Sequence, residues 1–285
     1  LQPSDMAKVF LVIFLAKYLS KKQQEVDNFQ VFLRLLGMVV IVIIPIIPEN
    51  LSTALVVMTT STLLMVIGRI KTKFILGLIG TGVLLAAMFY FLLMNLDMNK
   101  YQHTRMPTWK KRIETYLGTG ENTDSNYQQV QSQIAVATGG FWGKGPGNST
   151  QRNYLPHPYS DFIFAIIVEE YGLLGGLLLI AAFLLLILRA LKVVLESQRS
   201  FPALVVLGIA VSTSFQAFVH MGVSVGKLPV TGLTLPLVSM GGTSIIFNSI
   251  AFGVMLGVSR HIQEEKLKAS TTGVGSVQKD EEYTK

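Results

Sequence analysis

The chain has 285 residues, of which 50% are hydrophobic and 14% are charged, and its formal net charge is +7. Soluble domains carry about 25% charged residues, so this composition excludes an ordinary soluble protein and favours a polytopic membrane protein. The absence of cysteine excludes a disulfide scaffold, a thiolate zinc site and a cysteine nucleophile.

Seven apolar segments are candidates for crossing the hydrocarbon core of a bilayer, which is about 30 Å thick. In chain order they are residues 6–19, 31–47, 51–67, 74–94, 162–191, 203–225 and 233–258. The first segment is short and contains Lys8 and Lys17, and the fifth contains Glu169 and Glu170. The predicted fold class is an all-α polytopic membrane protein with about seven transmembrane helices in this chain.

The distribution of lysine and arginine predicts the orientation of these segments. Cations are concentrated in the connections after the first, third, fifth and seventh segments, which is typical of cytoplasmic loops. The long loop 95–161 also carries cations, but loops of this length cross the membrane largely regardless of charge. We therefore predict a periplasmic loop and a chain that begins outside and ends inside. We also expect that the protein's true N-terminus precedes Leu1.

The same distribution separates a membrane core from a tail. The cations do not cluster on one soluble face, so we expect no nucleic-acid partner. Residues 263–285 are polar and poor in aromatic side chains, which predicts a disordered cytoplasmic tail. Residues 1–262 then form the transmembrane core.

Ionisable residues at membrane depth are costly and are therefore candidates for function. Asp5 and Lys8 are three residues apart and lie on one helix face, so they form either a local ion pair or part of a site. Glu49 precedes the third segment, where it is either an acidic helix cap or a site residue.

The end of the long loop is the next candidate. Five glycines lie between residues 139 and 147, and glycine permits close approach to a ligand as well as ordinary tight turns. Asp161 follows, either as an N-cap of the fifth segment or as a site residue. We favour a site here because loops positioned by a rigid scaffold commonly carry function.

The last candidate is the stretch 227–244. Two prolines and the adjacent Gly241 and Gly242 interrupt an apolar sequence. This pattern predicts a broken or re-entrant helix, which is tolerated at depth only when it is buried in protein or lines a cavity. Close helix packing is the alternative. His220, on an apolar segment, is expected to be a hydrogen-bonded core residue, because the four histidines lack metal-ligand spacing.

Taken in order, these motifs resemble the SEDS family of bacterial cell-wall polymerases (shape, elongation, division, sporulation). The resemblance covers residues 1–262. It rests on Gln-Pro-Ser-Asp-Met-Ala-Lys at 2–8, Pro-Glu-Asn-Leu-Ser-Thr-Ala at 48–54, the glycine-rich stretch 139–149 with Leu-Pro at 155–156, Ser-Asp-Phe-Ile-Phe-Ala at 160–165, Glu-Glu-Tyr-Gly-Leu-Leu-Gly at 169–175, and Leu-Pro-Leu-Val-Ser-Met-Gly-Gly-Thr-Ser at 235–244. Residues 147–151 resemble the division branch (FtsW type) more than the RodA type. The chain departs from the family pattern at Glu49, Tyr159, Val168 and Met240.

The resemblance implies ten spans in the whole protein, about three of them ahead of Leu1. It implies polymerisation of lipid II, a disaccharide peptide linked to undecaprenyl pyrophosphate, into glycan strands at the outer face of the bacterial cytoplasmic (inner) membrane. The implied partners are membrane lipid, a class B penicillin-binding protein transpeptidase and division proteins, with enrichment at the division septum. A lipid II flippase and an ion-coupled transporter remain alternative functions.

The resemblance also implies roles for individual residues. Asp161 matches the catalytic carboxylate, which would act as the base for the attacking sugar hydroxyl. The leaving pyrophosphate would be stabilised by a lysine, by a loop arginine or by a divalent cation (Mg or Mn), while no other cofactor is expected. The candidate substrate-binding residues are Asp5, Lys8, Glu49, Lys144, Asn148, Arg152, Glu169, Lys227, Ser239, Gly241 and Gly242.

Overall fold

The computed structural model describes residues 3–95, 104–117 and 124–282, and within these ranges the chain forms helices joined by turns and irregular segments. The helices are α1 (Pro3–Lys21), α2 (Phe29–Ile43), α3 (Leu51–Ile67), α4 (Thr72–Asn95), α5 (Met106–Leu117), α6 (Asp124–Thr138), α7 (Ile163–Glu196), α8 (Ser200–Ser224) and α9 (Gly242–Glu282). A short 3-10 turn at Gln151–Asn153 lies in the loop before α7. The all-helical prediction is confirmed.

Each of the seven predicted segments corresponds to a helix, from α1 to α4 and from α7 to α9. Within the described ranges, the helices long and apolar enough to cross a membrane are α4, α7, α8 and the part of α9 from Gly242 to Glu265, while α2 and α3 are shorter apolar helices. Local signals in the sequence set several helix starts. The side chain of Asn28 accepts from Gln30 N before α2, and that of Asn50 accepts from Thr53 N before α3.

Helix α8 lies at the centre of the bundle. In its most apolar stretch 56% of the residues are buried, against 6% for α4 and 11% for α7. It packs on α1, α3, α7 and α9. Gly208 permits its close crossing with α1, because a Cβ there would lie 2.7 Å from Val12 Cγ1. Small residues at helix crossings are typical of membrane bundles, in which packing rather than hydrophobicity holds helices together.

The seventh predicted segment differs from the observed helix at both ends. Residues 230–241 are not helical and α9 begins at Gly242, which confirms the break predicted from the prolines and glycines. At the other end α9 continues to Glu282, whereas the sequence predicts disorder from residue 263. Side-chain pairs one helical turn apart support α9 just beyond its apolar part. Arg260 Nε lies 2.9 Å from Glu264 Oε1, and His261 Nε2 lies 3.5 Å from Glu265 Oε1.

Helix α7 is broken at Gly172, whose φ of 70° and ψ of −168° are not helical. The break leaves the carbonyls of Glu169 and Glu170 without their usual helical donors. Lys144 N and Gly145 N donate to these two carbonyls at 2.9 Å each, so the glycine-rich loop runs along the open side of the helix. The loop therefore satisfies backbone groups that would otherwise be unpaired at the edge of the membrane.

This close approach explains part of the glycine cluster. A Cβ at Gly139 would overlap Val168 O, and a Cβ at Gly143 would overlap Glu170 O. Gly140, by contrast, has a φ of +58° but open space around its Cβ position. The glycines at 139 and 143 thus admit the backbone of α7, whereas the sequence alone left open close approach to a ligand and ordinary tight turns.

We predict that Gly143→Ala destabilises the protein far more than Gly140→Ala. Both positions have positive φ, so each alanine suffers left-handed strain of about 1–2 kcal/mol. Only the alanine at 143 also collides with the backbone of α7. Thermal unfolding of the two purified variants in detergent measures the difference, and equal melting temperatures would contradict the assigned role of Gly143.

A second prediction concerns orientation. Asn153 and Gln198 are exposed on connections at opposite ends of α7, and the chain has no cysteine. Asn153→Cys should react with a membrane-impermeant thiol reagent in cells whose cytoplasmic membrane is intact and whose outer membrane has been removed. Gln198→Cys should react only after the cytoplasmic membrane is permeabilised, and the reverse pattern would overturn the predicted orientation.

Candidate functional site

Asp161 lies at the end of the long loop, two residues before the start of α7. The N-cap of α7 is Phe162, which makes no side-chain capping bond, so the alternative that Asp161 caps this helix is wrong. Its carboxylate is half-buried, and Oδ1 accepts a hydrogen bond from Ser160 Oγ at 2.9 Å. Its backbone N donates to His157 O at 3.0 Å.

The backbone just before Asp161 is fastened to the non-helical segment 230–241. Met240 N donates to Tyr159 O at 2.8 Å, and Ser239 Oγ donates to Ser160 O at 2.6 Å. Ser239 is buried and its hydroxyl also accepts from Leu235 N. The predicted site residue Ser239 therefore positions the residue before Asp161 through its hydroxyl.

The Asp161 carboxylate faces a wall formed by the backbone of Thr231 and Gly232. Gly232 has a φ of +68°, and a Cβ there would lie 3.6 Å from Asp161 Oδ2. The segment is held nearby by His220, which is 1% exposed and whose Nδ1 lies 2.7 Å from Leu233 O. Because a carbonyl oxygen only accepts, Nδ1 carries the proton. The prediction that His220 is a hydrogen-bonded core residue is confirmed.

Arg112 of α5 reaches the same wall from the loop. Its Nη1 lies 3.5 Å from Thr231 O, next to Gly232 in the chain. Burial lowers the pKa of the Arg112 guanidinium, and repulsion from Arg105 lowers it further, while Asp161 acts in the opposite direction. Arg112 and Asp161 therefore approach adjacent residues of the segment 230–241, Thr231 and Gly232.

Asp5 and Lys8 form a buried pair, not a surface ion pair. Lys8 Nζ lies 2.7 Å from Asp5 Oδ1, and the two side chains are 12% and 7% exposed, respectively. Lys8 also donates to Gln216 Oε1 at 2.7 Å, and Gln216 Nε2 donates to Thr234 O at 2.9 Å. The pair thus supports the segment 230–241 through Gln216.

A polar cavity accompanies this network. It has a volume of about 30 Å³ and lies between α1, α8 and α9, with Asp5, Lys8, Gln216 and Asn248 among its lining residues. A space of this size holds one or two water molecules but no sugar. Asp5 and Lys8 therefore contribute to a support beneath the candidate site.

Glu169 is fully buried and organises the loop before Asp161. Its carboxylate lies 2.5 Å from Lys144 Nζ and accepts hydrogen bonds from Ser149 Oγ, from Thr150 Oγ1 and from the backbone N of Thr150 and Gln151. Asn148 Nδ2 donates to Lys144 O at 3.1 Å. The side chains of Lys144, Asn148 and Glu169 are thus used in holding the loop together.

The remaining predicted site residues lie at more open positions. Glu49 is exposed in the turn before α3, where Asn50 is the helix cap, so the acidic-cap alternative for Glu49 is wrong. Lys227 is exposed after α8. Arg152 is half-buried in the 3-10 turn. Gly241 and Gly242 form the entry to α9.

Two residues near the site were not predicted from the sequence. Arg112 belongs to the run Lys-Lys-Arg at 110–112 in the long loop, and nothing in its spacing relates it to Asp161. Gln216 carried a usable signal, because a polar side chain in an apolar segment needs a partner in the bundle.

The chain is similar to a large family of bacterial proteins. Residues 1–264 match the family model FTSW_RODA_SPOVE, described as "Cell cycle protein". A relative from Geobacter metallireducens, named "Probable peptidoglycan glycosyltransferase FtsW", is 35% identical over 269 residues, which cover 92% of this chain and 68% of the relative. "Stage V sporulation protein E" of Bacillus subtilis is 36% identical over 271 residues, covering 92% and 69%.

A solved structure carries the same fold. It is described as "Structural coordination of polymerization and crosslinking by a peptidoglycan synthase complex", and the match has a TM-score of 0.69 at 25% identity. The alignment covers 91% of this chain and 70% of the other. The chain is a polytopic membrane protein, and it belongs to the FtsW/RodA/SpoVE family that its ordered motifs resemble.

Proposed function

We propose that this chain is the membrane core of a peptidoglycan glycosyltransferase that polymerises lipid II into glycan strands at the outer face of the cytoplasmic membrane. The observation that carries the proposal is the Asp161 carboxylate, half-buried between an anchored loop and the backbone at Gly232. The names of the relatives support the same reaction.

The reaction needs a base next to the attacking sugar. The 4-hydroxyl of an acceptor sugar attacks the anomeric carbon of the growing strand, a new glycosidic C–O bond forms, and the bond from that carbon to the lipid diphosphate breaks. The hydroxyl proton passes to Asp161, and the bonding electrons leave with the diphosphate. A carboxylate within hydrogen-bond reach of the hydroxyl contributes on the order of 10² to 10⁴ in rate.

The structure supports this role by the way it holds the carboxylate. Ser160 donates to Oδ1, and the preceding backbone is bonded to Ser239 and Met240. A base positioned on a supported loop loses little orientation when the substrate binds. Lys8 supports the site indirectly, because its ammonium is already bonded to Asp5 and Gln216.

A divalent cation is a further proposal for this site. The described part of the chain contains no group of three or more His, Asp or Glu side chains that would hold a metal ion. Mg²⁺ is commonly bound by a single carboxylate together with substrate phosphates and water, and the Asp161 carboxylate could serve as that one ligand. Such an ion would supply positive charge to the leaving diphosphate.

The expected partners follow from the same reaction. A lipid-linked substrate keeps its tail in the bilayer while its sugars reach the loop, so membrane lipid surrounds the reaction. We expect a class B penicillin-binding protein to crosslink the product, which is supported by the synthase complex to which the similar structure belongs. Relatives named FtsW support a role in septal wall synthesis with division proteins.

The test is polymerisation by an Asp161→Asn variant of the full-length protein with its partner and purified lipid II. Asparagine can still accept the bond from Ser160 but cannot take a proton. We expect the rate of glycan-strand formation to fall by about 10² to 10⁴ with the melting temperature unchanged.

Asp27→Asn is the matched control, because Asp27 is exposed on the connection between α1 and α2. It should polymerise at the wild-type rate. A rate within a few-fold of wild type for Asp161→Asn would remove Asp161 from the mechanism. If the wild-type complex makes no glycan from lipid II, the flippase or the transporter replaces the proposed function.

A further inference from the structure

Arg112 and Asp161 approach two adjacent residues of the segment 230–241. The guanidinium of Arg112 contacts the carbonyl of Thr231, and the Asp161 carboxylate faces the next residue, Gly232. Arg112 lies on α5, a helix of the long external loop, whereas Asp161 precedes α7. The fold thus brings a cation and a carboxylate from distant parts of the chain to one stretch of backbone.

Arg112 is held by few contacts at this position. Arg112 is half-buried, and Arg105 repels it while Asp161 attracts it. A guanidinium has five N–H donors, and among the described residues Arg112 makes one hydrogen bond, of 3.5 Å to Thr231 O. An anion that accepted bonds from Arg112 would stabilise a charge that burial otherwise disfavours.

Two of the predicted site cations are already bound to buried carboxylates, whereas Arg152 and Lys227 lie at more open positions. Lys8 is bonded to Asp5 and Gln216, and Lys144 is bonded to the buried carboxylate of Glu169. Moving either side chain toward a ligand would leave a buried carboxylate unpaired, which is costly. Arg112, by contrast, donates to the backbone carbonyl of Thr231, so it can move toward a ligand without leaving a carboxylate unpaired.

We propose that Arg112 forms a subsite that binds the diphosphate of a lipid-linked substrate next to Asp161. The planar fork of a guanidinium matches phosphate oxygens in a bidentate manner. The identification of the anion as a diphosphate rests on the proposed function. In that reaction the glycosidic oxygen of the diphosphate takes the bonding electrons, and the Arg112 charge stabilises it.

Binding of undecaprenyl diphosphate tests the subsite without requiring turnover. The full-length protein is placed in nanodiscs of phosphatidylcholine with EDTA present, so that neither anionic lipid nor a divalent cation contributes. We expect Arg112→Gln to raise the Kd for undecaprenyl diphosphate at least tenfold. Arg112→Lys keeps the charge but loses the fork, so its Kd should lie between those of wild type and Arg112→Gln.

Lys111→Gln is the matched control. Lys111 is exposed on the same helix, so the substitution removes an equal charge from α5 without touching the wall. Its Kd should stay within about twofold of wild type. An unchanged Kd in Arg112→Gln, an equal loss in Lys111→Gln, or no binding by the wild type would each overturn the subsite. If Arg112→Gln fails to fold, the Kd of Arg112→Lys decides in the same way.

Measurements of binding and of glycan synthesis can contradict the subsite and the proposed function separately. Asp161→Asn should bind undecaprenyl diphosphate at least as tightly as the wild type while making little glycan, because the substitution removes both the base and a negative charge next to the bound anion. Binding that depends on Arg112 in a complex that makes no glycan would contradict the proposed reaction and leave the subsite standing. Glycan synthesis with an Arg112→Gln variant that binds normally would contradict the subsite alone.

Discussion

The interaction of the buried Glu169 carboxylate with the loop before α7 is the one on which the candidate site depends. A buried charge is costly unless it is paired and hydrogen-bonded, and Glu169 meets both conditions through Lys144, Ser149, Thr150 and Gln151. All of these partners lie in the loop before α7. The loop cannot leave the helix without removing these partners from the Glu169 carboxylate, so one side chain keeps the loop in place.

The other end of the loop is held by a second support. Residues 159 and 160 are bonded to Ser239 and Met240 of the non-helical segment, and that segment is held in turn by Gln216 and His220. The buried pair of Asp5 and Lys8 acts through Gln216. Asp161 therefore lies between two fixed points, and the charges at membrane depth serve mainly to hold it there.

Much of the fold was predictable because hydropathy and charge are properties of the sequence alone. The bounds of α3 agree with the predicted segment, and the prolines before Gly242 mark the break ahead of α9. The sequence motif singles out Asp161 as the candidate base, and this role stays a prediction. The partners of the charged side chains Glu169 and Arg112 could not be predicted, because they depend on how the long loop folds back. The glycine at 143 looks the same in sequence whether it meets a ligand or the backbone of α7, and no spacing places Arg112 beside Asp161.

Hydrogen exchange in Glu169→Gln, measured together with glycan synthesis, tests most directly whether this carboxylate anchors the site. Glu170→Gln removes the same charge from the next position and serves as the control. We expect Glu169→Gln to lose protection across residues 144–161 and to lose polymerisation, while α8 stays protected and Glu170→Gln behaves as wild type. Wild-type protection of residues 144–161 in Glu169→Gln, or unchanged glycan synthesis despite lost protection, would contradict the account.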